Sequence, residues 1–112
     1  MGFMEDVGRA MDESLARKIE SAEGNIKRAD EEKRRAVDIA ASSKIELLIL
    51  KRGPTQPAGN KIAQDSTLQA KIQEAKERYT KAEQEQENAK NDLKTFQGVK
   101  AELKMNSLQP TA

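Results

Sequence analysis

Apolar and small residues recur along this chain in two long stripes, separated by a segment rich in glycine and proline. Within each stripe the spacing alternates mostly between three and four residues, which places one face of a long helix against another helix. The first stripe comprises Leu15, Ile19, Ala22, Ile26, Ala29, Lys33, Ala36, Ala40, Ser43, Leu47 and Leu50. The second comprises Leu68, Ile72, Ala75, Tyr79, Ala82, Gln86, Ala89, Leu93, Phe96, Lys100 and Leu103. We call these two stripes the seam.

The break between the stripes sets the predicted boundaries of the helices. Gly53-Pro54 ends the first helix, because glycine suits a C-terminal cap and proline cannot continue a helix. Ser66 and Gln69 fit a capping box at the start of the second helix, although a start at Asn60 is an alternative. Gly24 is either a weak point or a true break in the first helix, and the unbroken phase of the stripe favours continuity. We therefore predict one domain over residues 1–112, with helix 1 at about 3–51, a loop at 52–64 and helix 2 at about 65–106.

The predicted fold is all-α: a long antiparallel two-helix coiled-coil hairpin. When the chain doubles back at the break, opposite charges face each other, with Glu46 opposite Lys71 and Asp38 opposite Arg78. Large residues of the seam face small ones, as where Tyr79 falls near Ala36. Such pairing lets two helices approach closely.

Composition supports long helices rather than a thick globular core. Charged residues make up 35% of the chain and aromatic residues 3%. Disorder is the rival interpretation, since the mean hydropathy is −0.86. However, 20 basic and 19 acidic residues nearly balance, whereas disordered chains combine low hydrophobicity with high net charge.

The strongest functional signal is apolar surface outside the seam. Between Ala36 and Leu50 apolar residues occur on every side of the helix, and such a helix needs cover on more than one face. The predicted partner interface comprises Val37, Ile39, Ile45, Leu48 and Ile49. A second, weaker candidate comprises Phe3, Met4, Val7 and Met11.

Two explanations of that apolar surface remain open. Either the loop folds back over it, with contributions from Ile62 and Ala63, or another protein covers it. Since the loop is mostly polar, we favour a protein partner, in a homo-oligomer or a heteromeric helical bundle that completes the core.

No catalytic, cofactor or metal site is predicted. The chain has no cysteine and no histidine, which removes thiol chemistry, histidine-based acid–base catalysis and most zinc sites. The glutamates at 83, 85 and 87 lie two residues apart and diverge around a helix. We therefore expect a non-enzymatic protein.

Two basic runs give the alternative function, a nucleic-acid or membrane-surface binder. These runs are Lys33-Arg34-Arg35 and Lys51-Arg52. The acidic run Asp30-Glu31-Glu32 directly precedes the first, and the net charge is only +1, so nucleic-acid binding is the weaker expectation. No apolar run approaches the ~20 residues that span a bilayer, and no signal peptide is evident. We expect a cytoplasmic protein, or one exported without a cleavable signal peptide.

The motif Pro54-Thr-Gln-Pro57, between two predicted helices, resembles the Pro-x-x-Pro turn of hairpin subunits in bacterial secretion needles and pilus-like filaments. The architecture is also similar to small helical-hairpin chaperones or adaptors of secretion and assembly machines. The first resemblance implies a filament subunit built from stacked hairpins, and the second implies a structural or chaperone component of a larger assembly.

Overall fold

Two long helices pack as an antiparallel coiled-coil hairpin in the computed structural model of the chain. Helix α1 runs over Phe3–Arg52 and helix α2 over Ala58–Leu108. The structure describes residues 2–53 and 58–108, without the side chains of residues 58–59 and 106–108. Within those residues every position except Gly2 and Gly53 is helical, so the predicted all-α hairpin is confirmed. Completion of the core by oligomerisation stays a prediction.

Helix α1 runs without interruption through Gly24. Its termini suit the helix dipole, with Glu5 and Asp6 in the first turn and Lys51 and Arg52 in the last. Acidic groups near the N-terminus and basic groups near the C-terminus each stabilise a helix by ~0.3–1 kcal/mol. These terminal charges, together with the continuous apolar stripe, offset the low helix propensity of glycine.

Helix α2 begins at Ala58, so the predicted start near residue 65 is wrong, and so is the predicted loop from Ala58 to residue 64. The contact of Thr67 lies within the segment that is predicted to cap the helix. Its Oγ1 donates a hydrogen bond to the carbonyl oxygen of Ala63 at 2.9 Å. That contact is typical of a helix interior. A capping box at Ser66 is a local preference, and the helix begins eight residues before it. The predicted turn at 54–57 lies outside the described residues.

The chain divides into two compact units. The terminal unit consists of Met1–Arg28 and Glu85–Ala112, and the loop unit consists of Ala29–Gln84. Both helices contribute to each unit. In the terminal unit the buried residues are Leu15, Ala22, Gln86 and Ala89. In the loop unit they are Ala29, Ala36, Ser43, Leu47, Leu68, Ala75 and Ala82.

Alanine is the most frequent buried residue in both units. In the loop unit Ala36, Ala75 and Ala82 are each only 2% exposed. Side chains this small leave little volume between two helices, so the backbones can lie close together. Among the described residues no large side chain is fully buried. The core of each unit is therefore a single layer of seam residues. Each unit buries little apolar surface, so burial stabilises it only weakly.

Candidate functional site

The structure places the predicted seam residues at two levels of burial. Ala22, Ala36, Leu47 and Leu68 are buried. The longer side chains lie at the edges of the seam and are half-buried: Ile19, Ile26, Ile72, Tyr79, Leu93 and Phe96. Alanines, together with Leu47 and Leu68, thus occupy the centre of the seam, and the other large residues flank it.

Polar seam residues make specific contacts across the hairpin. In the loop unit the Nζ of Lys33 lies over the ring of Tyr79, 5.3 Å from its centroid, which is within the range of a cation–π interaction. In the terminal unit Nε2 of Gln86 donates to the carbonyl oxygen of Ile26 at 3.4 Å. Both contacts join α1 to α2. They satisfy polar groups that a coiled-coil seam would otherwise leave in an apolar setting.

Four large aliphatic side chains on α1 remain exposed in the loop unit, and we call them the tip surface. Val37 is 52% exposed, Ile45 56%, Leu48 49% and Ile49 62%. Ile39, the fifth predicted interface residue, is half-buried. Its position between Ala36 and Ser43 turns its side chain toward the edge of the seam.

The tip surface has the spacing of a second helical stripe. Val37, Ala41, Ile45 and Leu48 follow one another at intervals of four, four and three residues, so they project from one side of α1. Their direction differs from that of the seam positions Ala36, Ala40, Ser43 and Leu47. The same helix therefore presents two apolar faces. One of them packs against α2.

Ile62 and Ala63 do not provide the cover that the loop explanation required. Both lie in α2 and are exposed, and Ile62 is 70% exposed. Ile62 therefore adds apolar surface instead of removing it. The predicted start of helix 2 near residue 65 puts Ile62 in the loop, whereas α2 includes it.

A groove of about 500 Å³ lies between the helices beside the tip surface. Ile49, Leu50 and Leu68 supply its apolar wall, and Glu46 and Lys71 also line it. Those two charged residues are a pair that the sequence predicts to face each other. A groove with apolar walls and a polar edge can take the side chains of another helix.

Basic side chains border the tip surface. Lys44, Lys51 and Arg52 are exposed, and helical spacing places Arg52 four residues beyond Leu48, at the end of the second stripe. Arg34 lies at the other end and forms an ion pair with Asp30 at 3.5 Å. The tip surface is thus an apolar stripe whose margin is basic on balance, with Asp38 and Glu46 also exposed beside it.

Other arginines of the loop unit pair along their own helices. Arg35 lies 3.4 Å from Glu32, and Arg78 lies 3.5 Å from Glu74. The sequence predicts that Arg78 faces Asp38, but Glu74 lies on the same helix as Arg78 and is held within its reach by the helical spacing. Exposed pairs of this kind contribute only ~0.2–1 kcal/mol.

A second apolar surface lies at the start of α1, in the terminal unit, and we call it the N-terminal patch. Phe3 is 79% exposed, Met4 73% and Met11 47%, while Val7 is half-buried. Acidic residues interleave with these apolar positions: Glu5, Asp6, Asp12 and Glu13. This patch therefore has the opposite charge to the margin of the tip surface.

Within residues 2–53 and 58–108, no three acidic side chains come together in a way that could hold a metal ion. In the same part of the chain, neither helix contains a stretch long and apolar enough to cross a membrane.

No protein-family model, curated protein or solved structure significantly matches this chain.

Proposed function

We propose that this chain is a non-enzymatic assembly protein that binds another helix, from a second copy or from a different protein, through the tip surface. A single observation carries the proposal: α1 bears a second apolar stripe, and the four large aliphatic residues of the tip surface are 49–62% exposed. In proteins an exposed apolar stripe rimmed by polar residues marks an interaction site. A helix with two apolar faces is typical of a helical bundle with more than two members.

Burial of the tip surface contributes favourable free energy to association. Complete burial of a Val, Leu or Ile side chain contributes ~1.5–3 kcal/mol. Four side chains that are already about half-buried would therefore contribute roughly 3–6 kcal/mol. This gain is offset by the cost of association, and a single contact of this size gives modest affinity. We therefore expect association that depends on protein concentration.

The alternative, a nucleic-acid or membrane-surface binder, draws support from the exposed Lys51 and Arg52. The first basic run supports it less, because Arg34 and Arg35 form ion pairs with acidic residues on their own helix. A binder of phosphate groups would lose affinity steeply as salt concentration rises. Cytoplasmic location, or export without a cleavable signal peptide, stays a prediction.

The substitution Leu48→Asp tests the proposal. It places a carboxylate in the middle of the tip surface, where a partner helix would have to desolvate it. We expect the association constant to fall at least about tenfold, equivalent to about 1.4 kcal/mol. Light scattering coupled to size-exclusion chromatography over a concentration series measures the mass. Circular dichroism should show unchanged helicity, since Leu48 is 49% exposed in the hairpin.

Gln73→Asp is the matched control. Gln73 is exposed on α2 in the same unit, and its replacement changes the charge by the same amount at a position outside the tip surface. We expect its association to equal that of the unaltered chain. Unchanged association of Leu48→Asp would show that the tip surface is not the interface.

A further inference from the structure

We infer that the tip surface binds the N-terminal patch of a second copy, so that the chain assembles head to tail. This inference rests on the proposed function, since it names the occupant of the same surface. Its evidence is the opposite charge of two exposed apolar surfaces on one chain, together with the helical spacing of each.

The charges around the two surfaces are complementary. Arg34 and Arg35 are paired with Asp30 and Glu32, and the following residues 36–52 of α1 contain three basic residues and two acidic ones. Residues 3–13 contain four acidic residues and one basic residue, Arg9. An apolar stripe with a basic margin favours an acidic amphipathic helix as its binding partner, because unlike charges attract across the rim of an interface.

The apolar positions also match in kind. Met4, Val7 and Met11 follow at intervals of three and four residues, which is the spacing of a helix that lies in an apolar groove. Phe3 adds an aromatic side chain that is 79% exposed. Aromatic and methionine side chains are enriched at the cores of protein interfaces. The methionine side chain is also flexible, so it can fit an irregular groove.

Charge also disfavours the symmetric arrangements. Two tip surfaces packed together would bring two margins of net positive charge into one interface, and two N-terminal patches would bring two acidic surfaces together. Like charges brought together across an interface oppose association. A contact between unlike surfaces leaves one free surface of each kind, so growth continues unless the chain of subunits closes into a ring.

A complementation experiment tests the inference with full-length chains. One variant, Phe3→Ser with Met4→Ser, removes apolar side chains from the N-terminal patch. The other variant, Leu48→Asp, blocks the tip surface. We expect the unaltered chain to grow in mass with concentration and each variant alone to remain monomeric. An equimolar mixture of the two should form a complex of two chains that does not grow further, because only one functional contact is left.

Met105→Ser is the control for the N-terminal variant. Met105 is 63% exposed in the terminal unit and lies on α2, outside the N-terminal patch. Its replacement removes a similar apolar side chain, and we expect growth in mass as for the unaltered chain. Circular dichroism of every variant checks that helicity is kept.

The outcomes separate this inference from the proposed function. If the Phe3/Met4 variant associates normally while Leu48→Asp does not, the inference is overturned and the tip surface still binds a different segment. If the mixture of variants stays monomeric, the inference is likewise overturned. If the unaltered chain is monomeric but binds vesicles of mixed phosphatidylserine and phosphatidylcholine, and Leu48→Asp does not bind them, the occupant is a membrane surface. Normal association of Leu48→Asp overturns both proposals.

Ionic strength gives an independent readout. Because the two margins carry opposite charge and are exposed, their attraction is screened by salt. We expect the association constant to fall as the salt concentration rises. An association constant that rises with salt would show that apolar burial alone holds the copies together, and it would contradict the charge match on which the inference depends.

Discussion

At the scale of single residues, alanine sets the distance between the helices. Ala36, Ala75 and Ala82 lie at the centre of the seam in the loop unit and are almost completely buried. Each lacks the side-chain length to fill a wider gap, so close approach of the backbones is what makes their packing dense. The larger seam residues lie to the sides, and Tyr79 uses its ring to hold the ammonium group of Lys33.

Ala75→Leu should therefore destabilise the hairpin. A leucine at a position that is 2% exposed has to push the helices apart or take an unfavourable rotamer, which costs about 1–3 kcal/mol. Urea unfolding followed by circular dichroism measures the loss. Ala70→Leu is the control, because Ala70 is exposed on the same helix and its replacement should change the stability by less than about 0.5 kcal/mol. Equal stability of the two variants would contradict close packing at Ala75.

At the scale of the elements, two glycines in or beside α1 have opposite roles. Gly24 lies inside the helix, and a Cβ added there would meet nothing within 4 Å. Gly53 follows the helix, and its N–H donates to the carbonyl oxygen of Ile49 at 2.7 Å. A Cβ at Gly53 would lie 2.9 Å from that same oxygen. Glycine is therefore dispensable at position 24. It is needed at position 53, because the backbone of Ile49 approaches too closely for a side chain.

Gly24→Ala should stabilise the hairpin by about 0.5–1 kcal/mol. Alanine restricts the unfolded chain more than glycine does and fits the helix without a clash. Thermal unfolding monitored by circular dichroism measures the gain as a higher Tm. A lower Tm would indicate that the helix is distorted at Gly24 in solution.

Gly53→Ala should destabilise the hairpin, in contrast to Gly24→Ala. The added methyl group forces the backbone to move away from Ile49, which weakens the hydrogen bond that ends α1. We expect a loss of about 1 kcal/mol or more, measured in the same unfolding experiment. A gain in stability similar to that of Gly24→Ala would show that the close contact is not retained in solution.

At the scale of the whole molecule, the pairing of α1 with α2 has to occur within one chain. Glu23 and Lys94 are exposed residues of the terminal unit, on α1 and α2 respectively. The sequence predicts that they face each other across the hairpin.

Spin labels at residues 23 and 94 check this pairing. Packed helices have axes about 8–10 Å apart, so the distance between labels should be short and set mostly by the label linkers. Dilution with an excess of unlabelled chain should leave the distance unchanged. Loss of the short distance on dilution would show that the helices pair between molecules, as in a domain-swapped dimer. Buried positions such as Ala22 should not be labelled, because a label there would disrupt the seam.

The sequence alone determined that this protein is two long helices folded back on each other. A heptad repeat is a local property of the chain that can be read from the sequence. Because one glycine–proline break separates the two stripes, the chain can bury both of them by folding back on itself. Tertiary structure decided which apolar residues outside the seam remain exposed. Ile39 and Ile45 are both predicted interface residues, but Ile39 borders the seam and is half-buried, whereas Ile45 is exposed. The start of α2 at Ala58 was also missed, since local capping signals do not measure how far a packed helix extends. Burial depends on the neighbouring helix, whose exact position no periodicity specifies.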